Sequence, residues 1–121
     1  MRIGFDANAM VGDLDGVGWH SYHLLRTMMA QQEGIDFVAY AKPGAEQPDS
    51  VMAWPGVERL QWMNSSRSGM EKRGSSDRLD LYHGTNFRMQ TVGRYGGVVT
   101  IHDLWLDRHP EYAKKMLGQW P

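Results

Sequence analysis

Short apolar runs separated by long polar or glycine-rich stretches dominate this chain, and one helical repeat stands near its start. Arg2 to Phe5 is brief and apolar and leads into residues rich in Gly and Asp, which predicts a buried strand. Residues 7–18 (ANAMVGDLDGVG) hold three glycines and read as a loop. Trp19, Tyr22, Leu25, Met28 and Met29 then recur at helical spacing, and Gln31-Gln32-Glu33-Gly34 supplies a stop with Gly at the C′ position. Ile35 to Tyr40 predicts a second strand. Pro43, Pro48, Pro55, Gly44 and Gly56 forbid one continuous element over 41–56. The imperfect alternation of Val57 to Met63 predicts a third strand. Asn64 to Asp77, rich in Ser, Gly, Lys and Arg, reads as a mobile surface segment. Leu79 to His83 and Val98 to His102 predict the fourth and fifth strands, and a last helix after Pro110 uses Tyr112, Met116 and Leu117. No internal repeat is present.

Strands separated by a dozen or more residues pair in parallel, because a parallel neighbour needs a crossover. The expected architecture is therefore a Rossmann-like, doubly wound parallel α/β sheet in a single domain spanning 1–121. Ligands of such sheets bind beyond the carboxyl ends of the strands. That rule directs attention to Asp6-Ala7-Asn8 with the glycine loop, to His83-Gly84-Thr85-Asn86, and to His102-Asp103.

Composition narrows the classes. The 121 residues carry 13 basic and 14 acidic side chains, a formal charge of −1, which lacks the basic signature of a nucleic-acid binder. There is no cysteine, so no disulfide framework, thiolate zinc site or cysteine nucleophile exists. The apolar runs are too short to span a bilayer, and Met1 to Asp6 lacks the apolar region of a signal peptide. A cytoplasmic location is the expectation.

Asp15-Gly16-Val17-Gly18 opens the first helix. Glycines there expose amides at the positive end of the helix dipole, which suits a phosphate, although the same letters also describe a plain turn. The dinucleotide fingerprint is incomplete, since its third glycine falls on Ser21, and no Gly-Lys-Ser/Thr phosphate loop follows. His102 can hydrogen-bond a hydroxyl or carbonyl oxygen and Asp103 can accept from a hydroxyl; a half-buried His beside a capping Asp is the structural alternative. His83-Gly84-Thr85-Asn86 is a second polar tip after a strand, and on its own it reads as an Asn/Gly turn before it reads as a site. His20 and His23 have no third ligand at fitting spacing, so no metal is expected between them. Asp6 and Asn8 with Asp80 and Asp103 offer a metal-dependent phosphodiesterase or nuclease as one alternative function, and a non-catalytic interaction domain is another. Trp19, just past the glycine loop, stands apart from the remaining tryptophans, which read as core.

The segments MRIGFDANAM, DGVGWHSYHLL, DLYHGTNF and VVTIHDLWLDRHPEY resemble, in order and spacing, the N-terminal domain of retaining GT-B glycosyltransferases of the group 1 type. Residues 41–77 align only loosely, and Trp19-His20 stands where relatives commonly carry Arg-Tyr. The resemblance implies the acceptor-side half of an enzyme that moves a sugar from a nucleotide-sugar co-substrate to a carbohydrate or lipid-linked acceptor, with retention and without a metal or other cofactor. By carry-over His102 would lie beside the transferred sugar as the catalytic contact. Gly16, Val17 and Gly18 would face the donor diphosphate. Trp19, His83, Asn86 and Asp103 would line the substrate side. The family's donor-binding C-terminal domain falls outside these 121 residues, so the resemblance implies a truncated, inactive half whose exposed apolar surface favours self-association. A lipid-linked acceptor would place the enzyme peripherally at the inner membrane surface.

Overall fold

The computed structural model describes residues 1–66, 77–85, 96–102, 108, 109 and 111. Five parallel strands form one sheet: β1 (Arg2–Asp6), β2 (Asp36–Ala41), β3 (Leu60–Asn64), β4 (Leu81–Gly84) and β5 (Gly96–Val99). Their order across the sheet is β3-β2-β1-β4-β5. One helix, α1 (Gly16–Gln31), connects β1 to β2. Chain order thus runs outward from β1 on one side and, after β3, restarts on the other. This reversal is the strand pattern of a Rossmann-like α/β fold, and it puts a topological switch point between β1 and β4.

Parallel sheets are covered on both faces, so their central strands read as continuous apolar runs. β2 obeys this rule, with the five residues Phe37 to Ala41 buried. On one face Phe5, Phe37 and Ala39 pack against Leu25 and Met29 of α1 and against Val51 and Trp54 of the 41–56 connection. On the other, Val38 and Tyr40 meet Leu79 and Tyr82. Gly4 lies between Phe5 and Ile3 in β1, and a Cβ there would stand 2.6 Å from Leu79 and 2.9 Å from Tyr82. Glycine at this position is what lets the large side chains close over β1.

Several predicted boundaries move. The helix begins at Gly16 rather than Trp19, because the Asp15 carboxylate accepts from Gly18 N at 2.8 Å and caps it. Residues 8–10 of the expected loop form a short 3-10 turn. Gln32 is the C-cap, so Gly34, with φ +79°, stands at C″ and not C′. Val57–Arg59 forms a 3-10 turn after Gly56, and β3 starts only at Leu60. Asn64 closes β3 and donates to the Lys42 carbonyl at 3.0 Å, so it belongs to the sheet and not to a surface segment. β4 starts two residues later than expected, and Leu79, before the strand, packs with Val38, Tyr40 and Tyr82. β5 starts two residues earlier and includes Gly96-Gly97, which pair with Leu81 and Tyr82; the ladder overrides the poor strand propensity of glycine. The whole of β5 is exposed. The helix expected after Pro110 lies outside the described residues, as do 67–76 of the Ser/Gly-rich segment.

The buried stripe of α1 also differs from the apolar one. It consists of Gly18, Ser21, Leu25 and Met29, while Trp19 is 50% exposed. Small residues at the start of the stripe and large ones at its end bring the helix N-terminus close to the end of β1. Ser21, at the place of the missing third glycine, is fully buried, and among the described residues its hydroxyl has no hydrogen-bond partner. Ser21→Ala removes that unsatisfied group and raises helix propensity. It is expected to stabilise the protein by about 1 kcal/mol in urea unfolding; a loss of stability would show that the hydroxyl is needed.

Candidate functional site at the carboxyl rim

The site grows from the switch point. β1 ends at Asp6, whose Oδ1 accepts from the backbone and side-chain nitrogens of Asn8 at 3.0 and 2.9 Å. Asn8 in turn accepts from Lys42 N at 2.8 Å, tying the ends of β1 and β2 together. Just past β4, Thr85 is fully buried and its hydroxyl donates to the Asp6 carbonyl at 2.7 Å. The Thr85 carbonyl then meets His102 Nε2 at 2.7 Å. A carbonyl oxygen only accepts, so His102 must carry its proton on Nε2, and in the neutral ring the lone pair resides on Nδ1. Thr85 is therefore the hub that joins β1, β4 and the residues after β5.

His83 sits one position deeper. In register with Phe5, it packs edge-on against that ring at 5.4 Å, and its Nε2 lies 2.7 Å from Thr100 Oγ1. Burial holds its pKa below the ordinary 6.5; the nearby His20 pushes the same way and Asp6 opposes. The folded protein thus disfavours the imidazolium. Stability from this group is fully present above pH 6.5 and is lost as pH falls toward and through the lowered folded value, because the unfolded chain takes up the proton first. His83→Gln removes this contribution. Urea midpoints measured from pH 7.5 to 5 are expected to fall less steeply in that variant than in the wild type, and equal slopes would contradict the linkage.

The third imidazole is His20, on the second turn of α1. Its ring centroid is 5.3 Å from that of His102 at an interplanar angle of 90°. Gly16, Val17 and Gly18 form the helix start two to four residues earlier. Gly18 cannot approach a ligand freely: its amide is used by Asp15, and a Cβ on it would collide with the Ala9 carbonyl and lie 3.2 Å from Leu14. Gly16 has open space around it. Anion contact at this helix start is thus limited to the amides of Gly16 and Val17, beside the Asp15 carboxylate.

The structure brings Gly16–Gly18, His83 and His102 to one rim. Trp19 goes elsewhere. It stacks on His23 at 5.6 Å and meets Tyr22 edge-on, and Tyr22 in turn packs on Trp54. This aromatic group lies on the flank of α1 that faces the 41–56 connection. Asn86 and Asp103 lie outside the described residues. Asp80 accepts from Arg2 N at 2.8 Å, at the amino end of β1, whereas Asp6 stands at its carboxyl end, roughly 13 Å away along the strand. These two carboxylates cannot share a cation. Among the described residues no group of three His, Asp or Glu has metal-holding geometry. An open cavity of about 480 Å³ beyond β1 and β2, lined by Val11, Gly12, Lys42, Gly44, Ala45 and Glu46, was not signalled by any motif.

His20 and Thr85 are the rim residues that sequence reasoning did not assign. Spacing in the sequence pairs His20 with His23, yet a polar residue within the first two turns of a helix that starts at the rim is a candidate to face it. Thr85, between Gly84 and Asn86, carries no sequence signal beyond that of a turn.

The strand order defines a Rossmann-like α/β fold, with His20, His83 and His102 gathered near the carboxyl rim of its sheet. No family model, curated protein or solved structure matches the chain. No helix among the described residues is long and apolar enough to cross a membrane.

Proposed function

We propose that this chain is the acceptor-side domain of a retaining GT-B glycosyltransferase, with a nucleotide-sugar as donor and a carbohydrate or lipid-linked hydroxyl as acceptor. The observation that carries the reading is the convergence of the α1 start, His83 and His102 at the β1/β4 switch point, in a chain whose four segments resemble that family in order. Sugar transfer with loss of a nucleoside diphosphate places negative charge on the leaving phosphate. Backbone amides at a helix start stabilise such charge without reorganisation. A ring nitrogen with a fixed tautomer positions a sugar hydroxyl. In this reading Gly16 and Val17 face the diphosphate, and His102 lies beside the transferred sugar. His83 stays neutral behind it, while Asn86 and Asp103 belong to the acceptor side. In the family that the chain resembles, a donor-binding domain supplies the other half of the cleft.

The test is a titration of the ¹⁵N-labelled chain with millimolar UDP-glucose and GDP-mannose. Shift changes are expected at Gly16, Val17, His83 and His102. Changes confined to other residues, or none, overturn the assignment. Sugar transfer catalysed by the 121 residues alone would overturn the half-enzyme reading.

A further inference from the structure

The cavity beyond β1 and β2 takes no part in the chemistry proposed for the rim. Its walls are the loops that follow two neighbouring parallel strands: Val11 and Gly12 after β1, and Lys42, Gly44, Ala45 and Glu46 after β2. Open α/β sheets hold ligands in such loops, and about 480 Å³ is an ordinary volume for a small-molecule site. The wall after β2 is built without a ligand. Ala45 N donates to the Lys42 carbonyl at 3.1 Å across Pro43-Gly44, with Gly44 at φ +85°, the pattern of a type II turn. Asn64 Nδ2, at the end of β3, donates to the carbonyls of Lys42 and Ala45 at 3.0 and 2.6 Å. On the other loop Gly12 has φ +75°, and no atom lies within 4 Å of a Cβ at either glycine. Both loops therefore present bare backbone.

Lys42 and Glu46 are exposed, and among the described residues neither the ammonium nor the carboxylate has a hydrogen-bond or ion-pair partner, although both line this cavity. An anion is attracted by Lys42 and repelled by Glu46, and a cation the reverse. A neutral sugar ring suits both: its hydroxyl oxygens accept from the ammonium, and its hydroxyl groups donate to the carboxylate. Its C–H faces meet Val11, Ala45 and the bare glycine backbone. We propose that this cavity is a seat for one neutral carbohydrate unit, with Lys42 and Glu46 as its hydroxyl-binding groups.

The seat adjoins the histidine rim, and Asp6 stands between them. The Asp6 carbonyl accepts from Thr85 on the β4 side, and its carboxylate holds Asn8, which accepts from Lys42 N on the β2 side. The β1/β2 and β1/β4 gaps are one strand spacing apart, about 5 Å. In the transferase reading, on which this last step rests, the seat takes a sugar unit of the acceptor next to the one that bears the reacting hydroxyl. The acceptor is then a saccharide of more than one unit.

The experiment is a ¹⁵N-edited NMR titration of the full chain with methyl α-glucoside, methyl α-mannoside, methyl β-galactoside and methyl β-N-acetylglucosaminide, each to tens of millimolar. It compares wild type, Lys42→Met and Glu46→Gln. At least one glycoside is expected to shift the amides of Gly12, Gly44 and Ala45, and each substitution to weaken that binding at least fivefold. Neither side chain has a partner in the fold, so both variants are expected to keep the wild-type spectrum elsewhere. The direction of the Glu46→Gln effect separates the ligand classes. Inorganic phosphate that binds here more tightly than any glycoside, and more tightly still in Glu46→Gln, overturns the proposal in favour of an anion site. Glycine that binds more tightly than the glycosides overturns it in favour of a zwitterion. No shift at these amides with any glycoside, or equal binding in all three proteins, also overturns it. UDP-glucose tests the transferase reading separately, because its diphosphate is expected at Gly16 and Val17. Glycoside shifts in the cavity without UDP-glucose shifts at the helix start keep the carbohydrate seat and remove the transferase; the reverse pattern keeps the transferase and removes the seat.

Discussion

Gly18→Val is expected to lower the unfolding free energy by about 3 kcal/mol, seen in thermal unfolding as a drop of roughly 10 °C. The cause is the Ala9 carbonyl oxygen, which occupies the space a Cβ needs. A flexible side chain yields to such a contact, but here the obstacle is backbone, in the 3-10 turn Asn8–Met10 that follows β1. Either that turn moves or α1 tilts away from the sheet, and both open the packing of Leu25 and Met29. Alanine gains helix propensity of about 1 kcal/mol over glycine and still loses on balance. Gly16→Ala is the internal control, since nothing lies within 4 Å of a Cβ there. It is expected to leave stability within about 0.5 kcal/mol. A Gly18→Val protein as stable as the wild type would mean that this glycine is not a packing requirement.

Arg59→Met is the second large effect, an expected loss of about 2–3 kcal/mol in urea unfolding. The guanidinium donates to the carbonyls of Met29 and Gln32 at the end of α1 and reaches Ile35 O at 3.3 Å. Those carbonyls are among the acceptors that a helix leaves unsatisfied, and a cation there also meets the negative end of the dipole. Methionine retains the stem and deletes every bond. Lysine retains the charge but not the planar fork, so Arg59→Lys is expected to fall between. Gly56, with φ +83°, lies directly against Arg59, and a Cβ there would also stand 3.1 Å from Met29 O. The effects of Gly56→Ala and Arg59→Met are therefore expected to be less than additive, because both dismantle the same contact. Full additivity would separate the two residues.

The sheet is legible because β2 is buried on both faces and announces itself as the unbroken apolar run Phe37 to Ala41, and because the short apolar centre of β1 leads at once into residues rich in Asp and Gly. β5 was misplaced because its first half is Gly96-Gly97, whose strand state comes from pairing with β4 and not from any local preference. The helix phase was misread for a related reason. Trp19 and Tyr22 are the conspicuous apolar residues, but close approach to the sheet selects Gly18 and Ser21. Position alone draws attention to His83 and His102, since one lies in the last half of β4 and the other just beyond β5, near the sheet edge where ligands of such folds gather. The links that organise them, through the Thr85 carbonyl and the His20 ring, depend on non-local distances that no spacing encodes.

β5 has a consequence for the order in which this protein comes apart. All four of its residues are exposed and, among the described residues, β4 is its one strand partner, whereas β2 is paired on both edges and buried from Phe37 to Ala41. Amides of Gly96 to Val99 should therefore exchange with deuterium through local opening long before those of Phe37 to Ala41. His102 hangs from that loosest edge. The rim contacts beyond β5 are therefore expected to open while the central strands endure, and anything that bound there would raise their protection from exchange.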